Sequence, residues 1–199
     1  TQVERGKPAR RWSIRQRMPI RIEFVDDKFE TPSLDDHIRA WPEPFPAHDL
    51  QARKVGVIGY AQGHNEIVLK CVPVSWAQYV ASTKARDEVP IRERFHRLAG
   101  SCLMISGDEN LILTFRSKRA ERYPDVWHVG AAGYIERADV EGGNPMLAML
   151  REIHEEMNLP ISAVTFIETL GICEHRQNAI YEICFRAKTR RAAAQVLAD

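Results

Sequence analysis

Long apolar runs are missing from this chain. No stretch reaches the roughly 18 uninterrupted apolar residues of a membrane-spanning helix, and the N-terminal "TQVERGKPARRWSIRQRMP" is basic and polar, without the apolar core of a secretion signal. Charge of one sign is missing too. With 28 basic against 27 acidic side chains the net charge is +1, which supplies no general attraction to nucleic acid or to a membrane surface. Cysteine is sparse: Cys71, Cys102, Cys173 and Cys184 lie far apart, none forms a C-x-x-C pair, and each sits in or beside an apolar run such as "SCLMIS" or "YEICF". That pattern argues against a zinc site and a disulfide scaffold, and for small buried hydrophobes in a reducing compartment. No internal repeat or low-complexity segment occurs. A soluble, cytoplasmic protein is the expectation.

What is present suits a globular core. The 199 residues are 44% hydrophobic and 28% charged, enough to bury one large domain or a core domain with an extension. After the basic arm, "IRIEFVD" alternates like a strand, and "WPEPFPAHDL" carries three prolines in ten residues, which predicts no regular structure there. "KVGVIGYAQGHNEIVLKCVPV" reads as two strands about a Gly/His/Asn turn, and "SWAQYVASTKARDE" as a serine-capped helix. Residues 1–95 are therefore expected to form an N-terminal α+β extension and 96–199 the main domain.

The second half is better patterned. "SCLMIS", the turn "GDEN" and "LILTFRS" predict a hairpin, "DVWHVGAAGYIE" a strand region broken by glycines, and "VTFIETLGICE" and "AIYEICFRAK" two more strands. "RRAAAQVLAD" is helical in composition. Strands on either side of a helix predict a mixed α/β layer fold.

That helix is "NPMLAMLREIHEEMNL". Asn144 is a suitable N-cap, Pro145 fits the first helical position, and Asn158 can adopt the left-handed conformation that closes a helix. Leu147, Leu150, Ile153 or His154, and Met157 fall at the spacing of a buried stripe, while Glu152, Glu155 and Glu156, at i, i+3 and i+4, share another face. Like charges this close repel by a few tenths of a kcal/mol per pair. The arrangement is either a solvated face with Arg151 as counter-charge or a seat for a hard divalent cation, which prefers carboxylate oxygens. Helix composition alone leaves both open.

The segment Gly133 to Leu159 resembles the Nudix box, G-x5-E-x7-R-E-U-x-E-E-x-G-U with U a bulky aliphatic residue. "REIHEEMNL" supplies Arg151, Glu152, Ile153, Glu155, Glu156 and Leu159 in register, and "WHVGAAGYIE" resembles the strand and glycine loop that lead into it. The surrounding strand order extends the resemblance to roughly Leu98 through Lys188. It implies a Nudix-like mixed sheet sandwiched by helices and a Mg²⁺- or Mn²⁺-dependent phosphoanhydride hydrolase. Glu155 and Glu156 would be metal ligands, with Glu152 a further ligand or an orienter of water. Arg151 would hold a glutamate's rotamer, and Glu136 matches a carboxylate that often joins the metal shell. Trp127 matches a structural tryptophan.

Two departures stand out. The position after the five residues that follow Gly133 holds Asp139 rather than glutamate, and Asp139 lies four residues too far from Arg151, so "ADVEGGN" contains an insertion. Whether Asp139 or Glu141 replaces the box glutamate stays open. Asn158 stands where the family has glycine, a milder change because asparagine tolerates the same backbone conformation. Further along, Glu174 or Glu182 could add a carboxylate. The basic run Arg116, Lys118, Arg119 and Arg122 is either a solvated cluster or a means of steering an anion, with Arg116 and Arg119 the candidate substrate contacts. Tyr123 and Trp127 read as core.

The expected substrate is a nucleoside diphosphate linked to another moiety, as in a nucleotide sugar or dinucleotide, with no nucleic acid and no membrane as partner. The N-terminal extension is expected to serve dimerisation or substrate closure, which leaves a homodimer open. Two other readings remain: a non-catalytic Nudix-fold module that binds a nucleotide and regulates a partner, and, lower, an isomerase of an isoprenoid diphosphate, for which no cysteine and glutamate pair is identifiable. The chain ends at "QVLAD", where such a core would normally add a strand and a helix.

Overall fold

The computed structural model describes residues 19–25, 29–85, 87–90, 93–119, 124–140, 142–175 and 178–196. The basic arm, Arg122, Tyr123 and Glu141 lie outside them. Nine strands join into a mixed sheet network: β1 (Ile20–Phe24), β2 (Lys54–Gln62), β3 (Ile67–Val74), β4 (His96–Ile105), β5 (Leu111–Phe115), β6 (Trp127–Val129), β7 (Ala131–Tyr134), β8 (Val164–His175) and β9 (Ile180–Thr189). Four helices accompany them: α1 (Pro32–Arg39), α2 (Trp76–Lys84), α3 (Met146–Met157) and the short α4 (Ala193–Val196). The architecture is mixed α/β, as expected.

β4 is the hub. It pairs antiparallel with β2, β5 and β7 and parallel with β9, the last from Arg97↔Ile180 to Ile105↔Lys188. β2 and β3 form the expected hairpin, with β1 parallel to β3, and β8 and β9 form a second long antiparallel pair. The β4–β5 pairing spans only Met104↔Ile112 and Ile105↔Leu111, after which β5 diverges to pair with β6. The glycine-broken region divides at Gly130 into β6 and β7.

Side-chain alternation along β3 divides two cores. Ile67, Leu69 and Cys71 enter the main one with Leu98, Cys102 and Met104 of β4, Ile183 and Phe185 of β9, and Met149 and Ile153 of α3. Val72 and Val74 enter the second, with Leu34, Tyr79, Ala81 and Phe95. Tyr79 joins the parts: its hydroxyl donates to the Val55 carbonyl of β2 and accepts the Leu98 N–H of β4 at 3.3 Å. Burial pushes the Cys71 and Cys102 thiols up to about 12, consistent with inert core cysteines.

Local signals explain α2 and the end of α3. Ser75 and Gln78 exchange backbone and side-chain hydrogen bonds at 3.1 and 2.8 Å, a reciprocal capping box. Asn158 closes α3 at φ 49°, ψ 27°. At the start of α3, Asn144 Oδ1 accepts the Met146 N–H at 3.0 Å, so asparagine caps the helix although its regular turn begins at Met146.

Four expectations are corrected. The proline-rich segment contains one 3₁₀ turn, Ala47–Leu50. Helix α1 was not expected at all. The buried stripe of α3 is Ala148, Met149, Glu152, Ile153 and Met157, while Leu147 is exposed; the helix is turned so that a glutamate, not Leu147, faces the sheet. Trp127 is 67% exposed rather than core, because β6 ends the strand path β1-β3-β2-β4-β5-β6 and its outer face is uncovered.

Candidate active site

Strand β7 lies antiparallel to β4 through Ala99↔Tyr134 to Cys102↔Ala131, and α3 packs across β7. The contact is close at Gly133. A Cβ there would fall on the carboxyl group of Glu152, so glycine is required to seat that carboxylate against the strand. Glu152 is 9% exposed. Burial raises its proton affinity above the usual glutamate range; Arg151 opposes that shift, and Glu156 and Glu155 add to it.

Arg151 organises the neighbouring acids. Its Nε and Nη2 donate to Asp139 at 2.9–3.2 Å, its Nη1 lies 2.9 Å from Glu152 Oε1 and 2.8 Å from Glu155 Oε2, and its Nη2 also reaches the Tyr134 carbonyl at 3.3 Å. Burial works against the charge, but the Asp139 hydrogen bonds and the surrounding carboxylates outweigh it and hold the guanidinium protonated. Asp139 also accepts the Glu136 N–H at 3.2 Å. The insertion thus loops out through Gly142 and Gly143, both at positive φ, and returns Asp139 to Arg151.

These residues border a cavity of about 960 Å³. Glu136, Glu152 and Glu156 line it with Arg116, Arg151 and Gly133. Glu156 Oε2 accepts the Ala132 N–H at 2.8 Å, which aims that side chain along β7. Glu155 is held by Arg151 and does not border the cavity, and Arg119 stands exposed on the turn after β5. Of the two later carboxylates, Glu182 lines the cavity from β9, whereas Glu174 lies 3.7 Å from His96 Nε2 and does not.

Sequence reading missed half of the wall. His48, Asp49, Arg53, Lys54 and Trp76 of the N-terminal part line the same cavity, as do His128 and His175. Lys54 Nζ lies 2.5 Å from Glu136 Oε1, and the two residues also form an isolated backbone bridge. No local motif announces these residues; they arrive through the β2–β4 pairing. Also unannounced is the β8–β9 register, which sets Cys173 opposite Glu182 and brings its Sγ to 3.6 Å from Cys184 Sγ.

Could the site hold a divalent cation? Among the described residues no three His, Cys, Asp or Glu side chains form a ready-made cage. The donor set is nonetheless hard: Glu152 and Glu156 lie one helical turn apart at the edge of the cavity, and the Gly133 cradle holds one of them at the sheet. Carboxylate oxygens with room for water and a phosphate are what Mg²⁺ and Mn²⁺ require. No protein-family model matches the chain, and no curated protein matches it.

Proposed function

We propose that this chain is a Mg²⁺- or Mn²⁺-dependent hydrolase of the Nudix kind that cleaves the diphosphate of a nucleoside diphosphate linked to another moiety, such as a nucleotide sugar or dinucleotide. One observation carries the reading. Glu152, buried against Gly133, and Glu156 border a cavity whose other walls present Arg53, Lys54 and Arg116, so carboxylates for a cation face cations for phosphate across one space.

Glu152 and Glu156 would hold the ion, with Glu136 or Glu182 as additional oxygen donors on the rim. When bound, it neutralises phosphate oxygens and lowers the pKa of an attacking water. Arg151 does not face substrate as a free cation; it is committed to Asp139, Glu152 and Glu155, and fixes their rotamers. Arg116, with Arg53, binds and orients the anionic diphosphate. Glu155 acts through Arg151, as a positioning residue.

The second reading, a nucleotide-binding module without turnover, is favoured by Asp139: the residue nearest the missing box glutamate is occupied by Arg151. A screen of nucleotide sugars, dinucleotides and nucleoside triphosphates with Mg²⁺ or Mn²⁺, resolved by product mass, separates the two. Metal-dependent cleavage of a diphosphate bond above an enzyme-free control, abolished in Glu156→Gln, is the expected result. Saturable binding without product selects the regulatory module, and neither binding nor product overturns the assignment of the cavity.

A further inference from the structure

The hairpin β5–β6 turns an apolar stripe to solvent. Leu111, Leu113 and Phe115 alternate along β5, and Trp127 of β6 lies directly opposite Phe115, ring centroids 5.2 Å apart and edge to face. These four side chains are 41 to 67% exposed. The other face of the hairpin is used: Ile112 is buried, and His128, opposite Thr114, borders the cavity. Four large side chains half in water amount to roughly 400 Å² of apolar surface, the size at which a patch marks an interaction site. "LILTF" and "WHV" contain no lysine, proline or carboxylate, the usual guards of a sheet margin.

We propose that this stripe is the centre of a two-fold interface with a second copy of the chain. The proposal rests on the fold alone and is independent of the reading of the cavity. Three features select a second copy. The stripe is apolar throughout, so it suits its own image. Its area is about half of the roughly 800 Å² per partner that a standard interface covers, leaving a polar rim of ordinary size. Its ends carry opposite charge: Asp108 and Glu109 precede β5, and Lys118 and Arg119 follow it. A two-fold axis through Leu113, which lies four residues from Glu109 and five from Lys118, sets the acidic end of each copy against the basic end of the other. Glu109 also pairs with Lys188 of its own chain, so the acidic end keeps Asp108 as its full charge, held ionised by Ser106 and the Ala193 N–H. An anionic membrane would meet repulsion at that end.

Sedimentation velocity of the intact chain from about 1 to 100 μM tests this. The expected species has twice the 22.8 kDa of one chain, and Leu113→Glu or Trp127→Glu weakens it at least about tenfold. Because a core-adjacent change can unfold the hairpin, surface charge provides a second arm. Lys118→Glu alone, and Asp108→Lys alone, should each weaken association, and the double reversal should restore it. A monomer at every concentration, or a dimer indifferent to Leu113→Glu and Trp127→Glu, overturns the interface. Failure of the double reversal to restore association overturns the antiparallel arrangement.

Discussion

Glu152→Gln should make the metal-free protein more stable while removing cation affinity. The glutamate is buried, one oxygen lies 2.9 Å from Arg151, and Glu155 and Glu156 stand on the same helix one turn further on. Burial outweighs the attraction of Arg151, so the folded state raises this carboxyl's proton affinity. The sign follows. A carboxyl whose folded pKa exceeds its unfolded one favours the fold fully below the unfolded value, and that benefit is lost as pH rises through the folded pKa. At neutral pH the ionised group is therefore a net cost, which an uncharged side chain of the same shape avoids. Arg151 keeps Asp139 and Glu155, so no buried cation is abandoned. Relieving a functional site of this kind contributes about 1 kcal/mol, a rise in Tm of roughly 2–4 °C for a chain of this size. Thermal unfolding with chelator from pH 4 to 8, wild type against variant, measures it. The advantage should be absent at the acid end and grow to a plateau, while calorimetric titration with Mn²⁺ shows at least about tenfold weaker binding. A variant that is less stable at neutral pH, or equally advantaged at every pH, refutes the argument.

Gly133→Ala should displace the Glu152 carboxyl, whose atoms are the nearest that the new methyl would meet; Mn²⁺ affinity measured by calorimetry should fall as far as in Glu152→Gln. Asp139→Asn removes the charge that Arg151 grips through three contacts and should cost about 2 kcal/mol in chemical denaturation, with Mn²⁺ binding changed much less than by Glu156→Gln. Arg116 borders the cavity and Arg119 does not, so Arg116→Ala should lower kcat and kcat/KM together, whereas Arg119→Ala should lower only kcat/KM, by a deficit that fades as added salt shortens the screening length below about 8 Å. Equal, salt-sensitive effects of both would reduce Arg116 to steering.

Elements whose signals are local were legible in the sequence. The serine cap of α2, the Asn144 and Asn158 ends of α3 and the alternation of β9 each depend on residues within a few positions of one another. What was hidden depends on distant partners. Helix α1 has no side-chain cap from Thr31; the N–H and hydroxyl of Ser33 bind Glu93, sixty residues on, at 2.8 and 3.2 Å. The rotation of α3 was hidden because periodicity counts a glutamate as outward, and only the bare backbone at Gly133 lets Glu152 turn in. That Asp139 reaches Arg151 across twelve positions depends on how the intervening chain folds, which spacing cannot show, and Glu141 lies outside the described residues. The N-terminal wall of the cavity depends on β2 meeting β4 through Gly56↔Arg97 and Val57↔His96, a pairing with no trace in either strand's own pattern.

The three crowded glutamates of α3 are reconciled by giving each a different environment. Glu152 is turned into the sheet beside Arg151, Glu155 is bound to the same guanidinium on the outer side, and Glu156 is drawn to the Ala132 N–H of β7. Repulsion of a few tenths of a kcal/mol per pair is small beside these charge-assisted contacts. The uneven commitment also ranks the carboxylates. Glu155 has given its oxygen to Arg151 and faces away from the cavity, whereas Glu152 and Glu156 border it, so neutralising Glu155 should act on the cation only through the position of Arg151. The three glutamates of α3 thus divide into two that border the cavity and one that braces Arg151 from outside it.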